Sequence, residues 1–101
     1  MIYEIAEIDV RLGAESAFEA AVSEAAPVFR RARGCRSLAL QRVIERPSTY
    51  RLVVGWDSVE DHMVHFRESA DFQEWRRLAS PHFAGPPKVD HVEWALEAFK
   101  D

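Results

Sequence analysis

Two apolar runs, residues 35–45 and 50–56, face each other across Arg46-Pro47-Ser48-Thr49. Proline at the second place of a four-residue turn presets its backbone angle, so the stretch predicts a β-hairpin. Side chains alternate across a strand. Tyr50, Leu52, Val54 and Trp56 therefore share one face, and Val53 lies on the other. In the preceding run Leu38, Leu40 and Ile44 oppose Ala39 and Val43. A hairpin that is apolar on both sides needs cover on both sides, because a bare apolar face is unusual on a monomer.

The rest of the chain must supply that cover. Its 101 residues fit one domain. Ile2 to Val10 alternates loosely and predicts a strand. Ser16 and Glu19 form a capping-box pattern that opens a helix. Phe18, Val22, Ala25, Phe29 and Ala32 give that helix an apolar face. Pro27 lacks the amide proton of an interior turn and is expected to kink the helix or start a second piece. Gly34 is the expected C-terminal cap. Arg30, Arg31 and Arg33 just before it place favourable charge at the helix end.

Ser58 and Asp61 repeat the cap signal and open a second helical region. It is expected to break near Ser69 and resume through Phe72, Trp75, Arg76 and Ala79. Ser80 to Pro87, SPHFAGPP, breaks it for good. Val89 to Leu96 is the expected last strand. The order β-α-β-β-α-β is the ferredoxin-like α+β arrangement, an antiparallel four-stranded sheet with both helices on one face. Two helices cover one face, so a second copy packed sheet to sheet is expected on the other, as a homodimer.

Composition narrows the function classes. A net charge of −4 gives no general affinity for nucleic acid. The strands also lack the glycine-aromatic pattern of an RNA-binding sheet. Cys35 is the sole cysteine, which rules out an internal disulfide framework; it is expected to act as a small core hydrophobe. The N-terminus has neither a basic leader nor a long apolar run, and no stretch approaches the roughly 20 apolar residues of a membrane span. The expected setting is cytoplasmic, with no membrane partner. No glycine-rich nicotinamide or flavin fingerprint is present, so no cofactor is expected.

The candidate chemistry sits on the second helical region. At α-helical spacing Val59, His62 and Phe66 form one stripe, and His65 lies about 60° away at its edge. Two readings of His65 stand. As a general base it uses an imidazole that titrates near operating pH. Otherwise it is a buried, hydrogen-bonded structural histidine. His62 and His65 could share a metal only with further ligands, Asp61 or His91 being nearest, and the sequence arranges none clearly; no metal is expected. His82 and His91 are read as structural. Trp56, Trp75 and Trp94 fill the core of a small domain, with Trp75 the best placed to wall a pocket for a flat ligand.

The stretch from Gly55 to Trp75, GWDSVEDHMVHFRESADFQEW, resembles the antibiotic biosynthesis monooxygenase (ABM) domain family. That pattern has a strand-end aromatic, here Trp56, then a Ser-capped acidic helix start, then a histidine nine places on, here His65. Ser69, Ala70, Asp71 and Phe72 stand where the family has a segment like Ser-Pro-His-Phe. The resemblance extends to the Gly34-Cys35 turn and the strand after it. Departures are Val54, where the family often has glutamate, and Asp71 in place of histidine. The Asn, Trp and His of the haem-degrading branch fall at Ile8, His65 and Trp75, so the resemblance does not imply haem degradation.

The resemblance implies a single domain over residues 1–101 and a dimeric α+β barrel with a pocket in each subunit. It implies a cofactor-independent monooxygenase acting on a small phenol, quinol or polyketide-like ring. His65 is then the base, and His62, Trp56, Phe66, Phe72 and Trp75 bind the substrate. Two alternatives remain open: an isomerase or degrader of a small oxygenated signal on the same fold, and a non-catalytic dimer that binds a hydrophobic metabolite.

Overall fold

The computed structural model describes residues 1–101. Strand β1 spans Ile2–Asp9, helix α1 Glu15–Arg30, β2 Cys35–Arg42 and β3 Thr49–Trp56. A π-helical turn follows at Asp61–Phe66, then helix α2 at Ala70–Ala79, a short 3-10 turn at Ser80–His82, and β4 at Lys88–Val92. The sheet order is β2-β3-β1-β4 and all three pairings are antiparallel. This is the expected ferredoxin-like α+β fold.

The inward phase of β3 is Tyr50, Leu52, Val54 and Trp56, each at most 1 % exposed. Phe18, Ala25 and Phe29 of α1 pack on it, with Trp75 and Ala79 of α2. Burying one large side chain of this kind contributes about 1.5–3 kcal/mol. The core is therefore one layer between the sheet and the two helical regions. On the outward phase Tyr3, Ile5 and Val53 are half-buried and Ala39 is exposed.

Several local expectations are corrected. No capping box opens α1: its N-cap is Ala14, without a side-chain bond. Glu19 instead accepts from the Tyr50 hydroxyl at 2.6 Å and pairs with Arg42. It is used for tertiary contacts, and Glu15 accepts from the Gly13 amide at 2.9 Å. Helix α1 continues through Pro27 to Arg30 with no second piece. Only one amide is lost so close to the end, and burial of Val28 and Phe29 holds the last turn.

Gly34 stands four residues beyond the helix and is no cap for it. Its φ of +75° belongs to the left-handed region. A Cβ there would sit 2.1 Å from Asp61 Oδ2. Glycine is thus required by both backbone and neighbour, and it seats the start of the π-helical turn. The last strand ends at Val92, not Leu96; Trp94 is 77 % exposed and adds nothing to this chain's core. Ile44 lies outside β2 and is also exposed.

The second helical region begins and breaks where expected. The Asp61 amide donates to Ser58 Oγ at 3.1 Å, and the Phe72 amide donates to Ser69 Oγ at 3.2 Å. Between them the turn is wider than an α-helix, with the Arg67 amide bonded to the His62 carbonyl five residues back at 3.0 Å. The arginines after α1 tie it to this region. Arg31 grips Asp71 through two bonds of 3.0 and 2.7 Å, and Arg33 lies 3.5 Å from Asp61.

Candidate functional site

A cavity of about 250 Å³ lies between the sheet and the second helical region. Ala6, Ile8 and Leu52 line it from the sheet, Phe72 and Trp75 from α2, and Phe83, Pro86 and Pro87 from the loop before β4. Four lining groups can carry charge: Glu4, His62, Arg67 and Arg76. Phe72, Trp75 and Arg76 share one face of α2 through their i, i+3, i+4 spacing.

Glu4 occupies the inward phase of β1, alongside Ala6 and Ile8. It is 5 % exposed. Its Oε1 accepts from Trp56 Nε1 at 3.1 Å and lies 3.2 Å from His62 Nε2. His62, 3 % exposed, stacks on Trp56 with ring centroids 5.3 Å apart and planes 19° from parallel. Its Nδ1 lies 2.8 Å from His91 Nε2. His91 arrives there because β4 pairs with β1 so that His91 stands directly opposite Glu4. If His62 Nε2–H donates to Glu4, then Nδ1 accepts from His91 Nε2–H. A chain of close polar contacts runs His91, His62, Glu4.

Burial pushes both buried members toward neutrality. It raises the Glu4 carboxyl to about 7, against smaller opposing effects of the Trp56 hydrogen bond and the Arg67 charge. It lowers the His62 imidazole to about 4, helped by His91 and Arg67. The pair thus avoids a buried ion pair. Its carboxyl exchanges a proton near neutral pH, which suits general acid–base work.

The expected site residues separate. His62, Phe72 and Trp75 line the cavity. Trp56, 0 % exposed, and Phe66, 3 % exposed, lie in the core behind it. Trp56 acts on the site through its bond to Glu4 and its stacking on His62. His65 is not in the cavity wall. Its side chain is 35 % exposed and faces Glu60 at 3.7 Å. The cause is the π-helical turn: three steps of a wider turn fall further short of a full circle than three α-helical steps. His62 and Phe66, four apart, both stay inward, while His65 swings out. His62 and His65 therefore do not converge on a common point.

Glu4, Arg67, Arg76 and His91 were not singled out for the site from the sequence. The available signal was Glu4 itself, a carboxylate on the buried phase of an otherwise apolar strand. His91 could be found only through the strand register.

The chain matches the family model of antibiotic biosynthesis monooxygenase over residues 1–78. It is 33 % identical over 93 residues to the uncharacterized protein YczJ of Bacillus subtilis, covering 92 % of this chain and 98 % of that one. A Bordetella bronchiseptica crystal structure, named for the same family, is 56 % identical with a TM-score of 0.93, covering 94 % and 97 % of the two chains. Rv0793 from Mycobacterium tuberculosis is 23 % identical, with a TM-score of 0.75 over 97 % and 98 %, and shares the fold. With the family pattern matched over more than half its length and the fold shared throughout, the chain belongs to the antibiotic biosynthesis monooxygenase family.

Proposed function

We propose that this protein is a cofactor-independent monooxygenase of a small, electron-rich phenol or quinol, with Glu4 as the general base. The observation that carries this is the Glu4–His62–His91 chain ending in an apolar cavity. The reading differs from the sequence expectation in its base: His65 gives way to a carboxylate that lines the cavity. Glu4 stands directly opposite Val54 in the sheet register, so this chain has a carboxylate beside the place where the family pattern often carries one.

The chemistry balances without another reductant. Glu4 takes the ring hydroxyl proton and later returns it to the peroxide oxygen, while His62, 3.2 Å away, helps hold the carboxyl in place. The ring anion gives an electron pair to dioxygen and forms a C–O bond at a ring C–H carbon. The hydroperoxide then breaks its O–O bond as that carbon loses its proton. A quinone carbonyl and one water result. Apolar walls exclude bulk water, and the nearby Arg67 charge stabilises developing anion.

The test is oxygen uptake with a panel of naphthols and quinols. Uptake with quinone formation, lost in Glu4→Gln, supports the reading. Turnover of a ring substrate without oxygen consumption would favour the isomerase alternative, and binding without turnover the metabolite-binding one.

The reading includes a homodimer. The outward sheet face bears Tyr3, Ile5 and Val53, next to Val92 at 47 % exposure, and the chain end adds Leu96 and Phe99 at 79 % and 82 %. A second copy on this face would bury more than roughly 1,200 Å² in total. Sedimentation at micromolar concentration should give twice the 11.6 kDa chain mass, and a monomer would refute the dimer.

A further inference from the structure

Most arginines of this chain are held by carboxylates. Arg31 is paired with Asp71, Arg36 with Asp57, Arg42 with Glu19 and Arg77 with Glu74, and Arg33, Arg46 and Arg51 also face acids. Arg11, Arg30, Arg67 and Arg76 face none, and of these Arg67 and Arg76 line the cavity. In a chain with a net charge of −4, the cavity wall carries two cations without counter-ions. The one acid in that wall is Glu4, which is buried and hydrogen-bonded to Trp56.

The fold brings both residues to the cavity wall. Arg67 follows directly on the π-helical turn; its guanidinium lies 5.8 Å from the Phe72 ring centre and 3.7 Å from Met63 Sδ. Arg76 shares its helix face with Phe72 and Trp75, so charge and aromatic wall come from the same two turns of α2. Both side chains are exposed, whereas Glu4 and His62 are buried. The cavity is thus polar at two levels, cationic toward solvent and proton-accepting within, with apolar walls between them. Its volume of about 250 Å³ falls just below the roughly 300–1,000 Å³ of drug-sized ligand pockets, which suits one or two rings.

We infer that the substrate is an aromatic carboxylate: its ring hydroxyl reaches Glu4 while its carboxylate docks on Arg67 and Arg76. A planar carboxylate matches the guanidinium fork, which a neutral phenol leaves unused. The inference rests on the proposed use of this cavity and names what that reading leaves open, the class of ring.

The probes are 6-hydroxy-2-naphthoate and 2-naphthol, which share a ring and hydroxyl and differ in the carboxylate at the far end. Binding is read by isothermal titration calorimetry at two salt concentrations, with quenching of the protein's tryptophan fluorescence as a check. The naphthoate should bind at least tenfold tighter than the naphthol, and added salt should narrow the gap. The double variant Arg67→Met with Arg76→Met should erase the preference, with the loss falling on the naphthoate. Arg67→Lys should keep part of it. Thermal unfolding of each variant shows that it is folded. Equal affinity in the wild type, a preference that survives the double variant, or no binding of either probe would overturn the inference. Oxygen uptake is measured separately on the same samples. A carboxylate preference without oxygen consumption leaves the anion site standing and removes the oxygenation.

Discussion

His62 and His65 lie three residues apart on one π-helical turn and have opposite surroundings. His62 is 3 % exposed, stacked on Trp56 and bonded into the Glu4–His91 chain. The His65 side chain is 35 % exposed and lies 3.7 Å from the Glu60 carboxylate. The same residue type at almost the same place is packed against a buried carboxylate in the cavity wall in one case and is a surface side chain in the other. What separates them is the pitch of the turn, not the chemistry of imidazole. The histidine on which the family pattern aligns is thus the one on the solvent side of the turn.

The largest effect expected from this contrast is on turnover. Glu4→Gln keeps an acceptor for Trp56 and removes the base, so oxygen uptake should fall by about 10²–10⁴ with the fold retained. His65→Ala should leave turnover within about threefold. A large loss in His65→Ala with a normal Glu4→Gln would reverse the assignment.

A second prediction concerns the seat of the turn. Gly34→Ala places a Cβ against Asp61 and strains a left-handed backbone, and should cost on the order of 2 kcal/mol in denaturant unfolding. His65→Ala should stay within about 0.5 kcal/mol, as an exposed substitution does. If Gly34→Ala were neutral, the turn would not be held from this side.

A third prediction uses pH. The Glu4 carboxyl has its folded value raised to about 7 from 4.5, so its unfavourable contribution grows as pH rises through that window. His62, lowered to about 4 from 6.5, contributes stability above 6.5 that is lost as pH falls. The two slopes oppose each other between about 4.5 and 6.5. Glu4→Gln removes one of them. The stability of Glu4→Gln relative to wild type should improve from pH 5 to pH 8, by up to about 3 kcal/mol. A flat difference would place Glu4 in a better solvated site than its burial indicates.

The smallest effect expected is a shift in the pH–rate profile. The Trp56 N–H favours the carboxylate form of Glu4. Trp56→Phe should therefore move the rising limb, expected near pH 7, to higher pH. The same substitution should leave any residual role of His65 untouched. An unmoved limb would separate Trp56 from the base.

The order of elements was legible in this sequence because each depends on neighbours along the chain. Alternation in β3, the 3.6 period of α1, and serines at 58 and 69 all act within a few residues, and all appear in the fold. Ser16 with Glu19 failed as a cap because Tyr50 and Arg42, distant in sequence, compete for the same carboxylate. The end of β4 was overrun because Trp94 and Leu96 continue an apolar pattern beyond the last pairing with β1.

The candidate site was legible in its walls and not in its chemistry. His62, Phe72 and Trp75 follow from sequence, since the helical region that carries them announces itself. Glu4 and His91 are 87 positions apart in the chain, and only antiparallel pairing sets them opposite each other. The inward phase of β1 was decided locally, by the alternation that also buries Ala6 and Ile8. Which strand lies beside it, and whether the turn at 61–66 widens enough to bring His62 onto Glu4, were decided by packing of the sheet against the second helical region. A periodic sequence specifies which residues share a face; the register and pitch that bring two faces together depend on contacts no local segment makes alone.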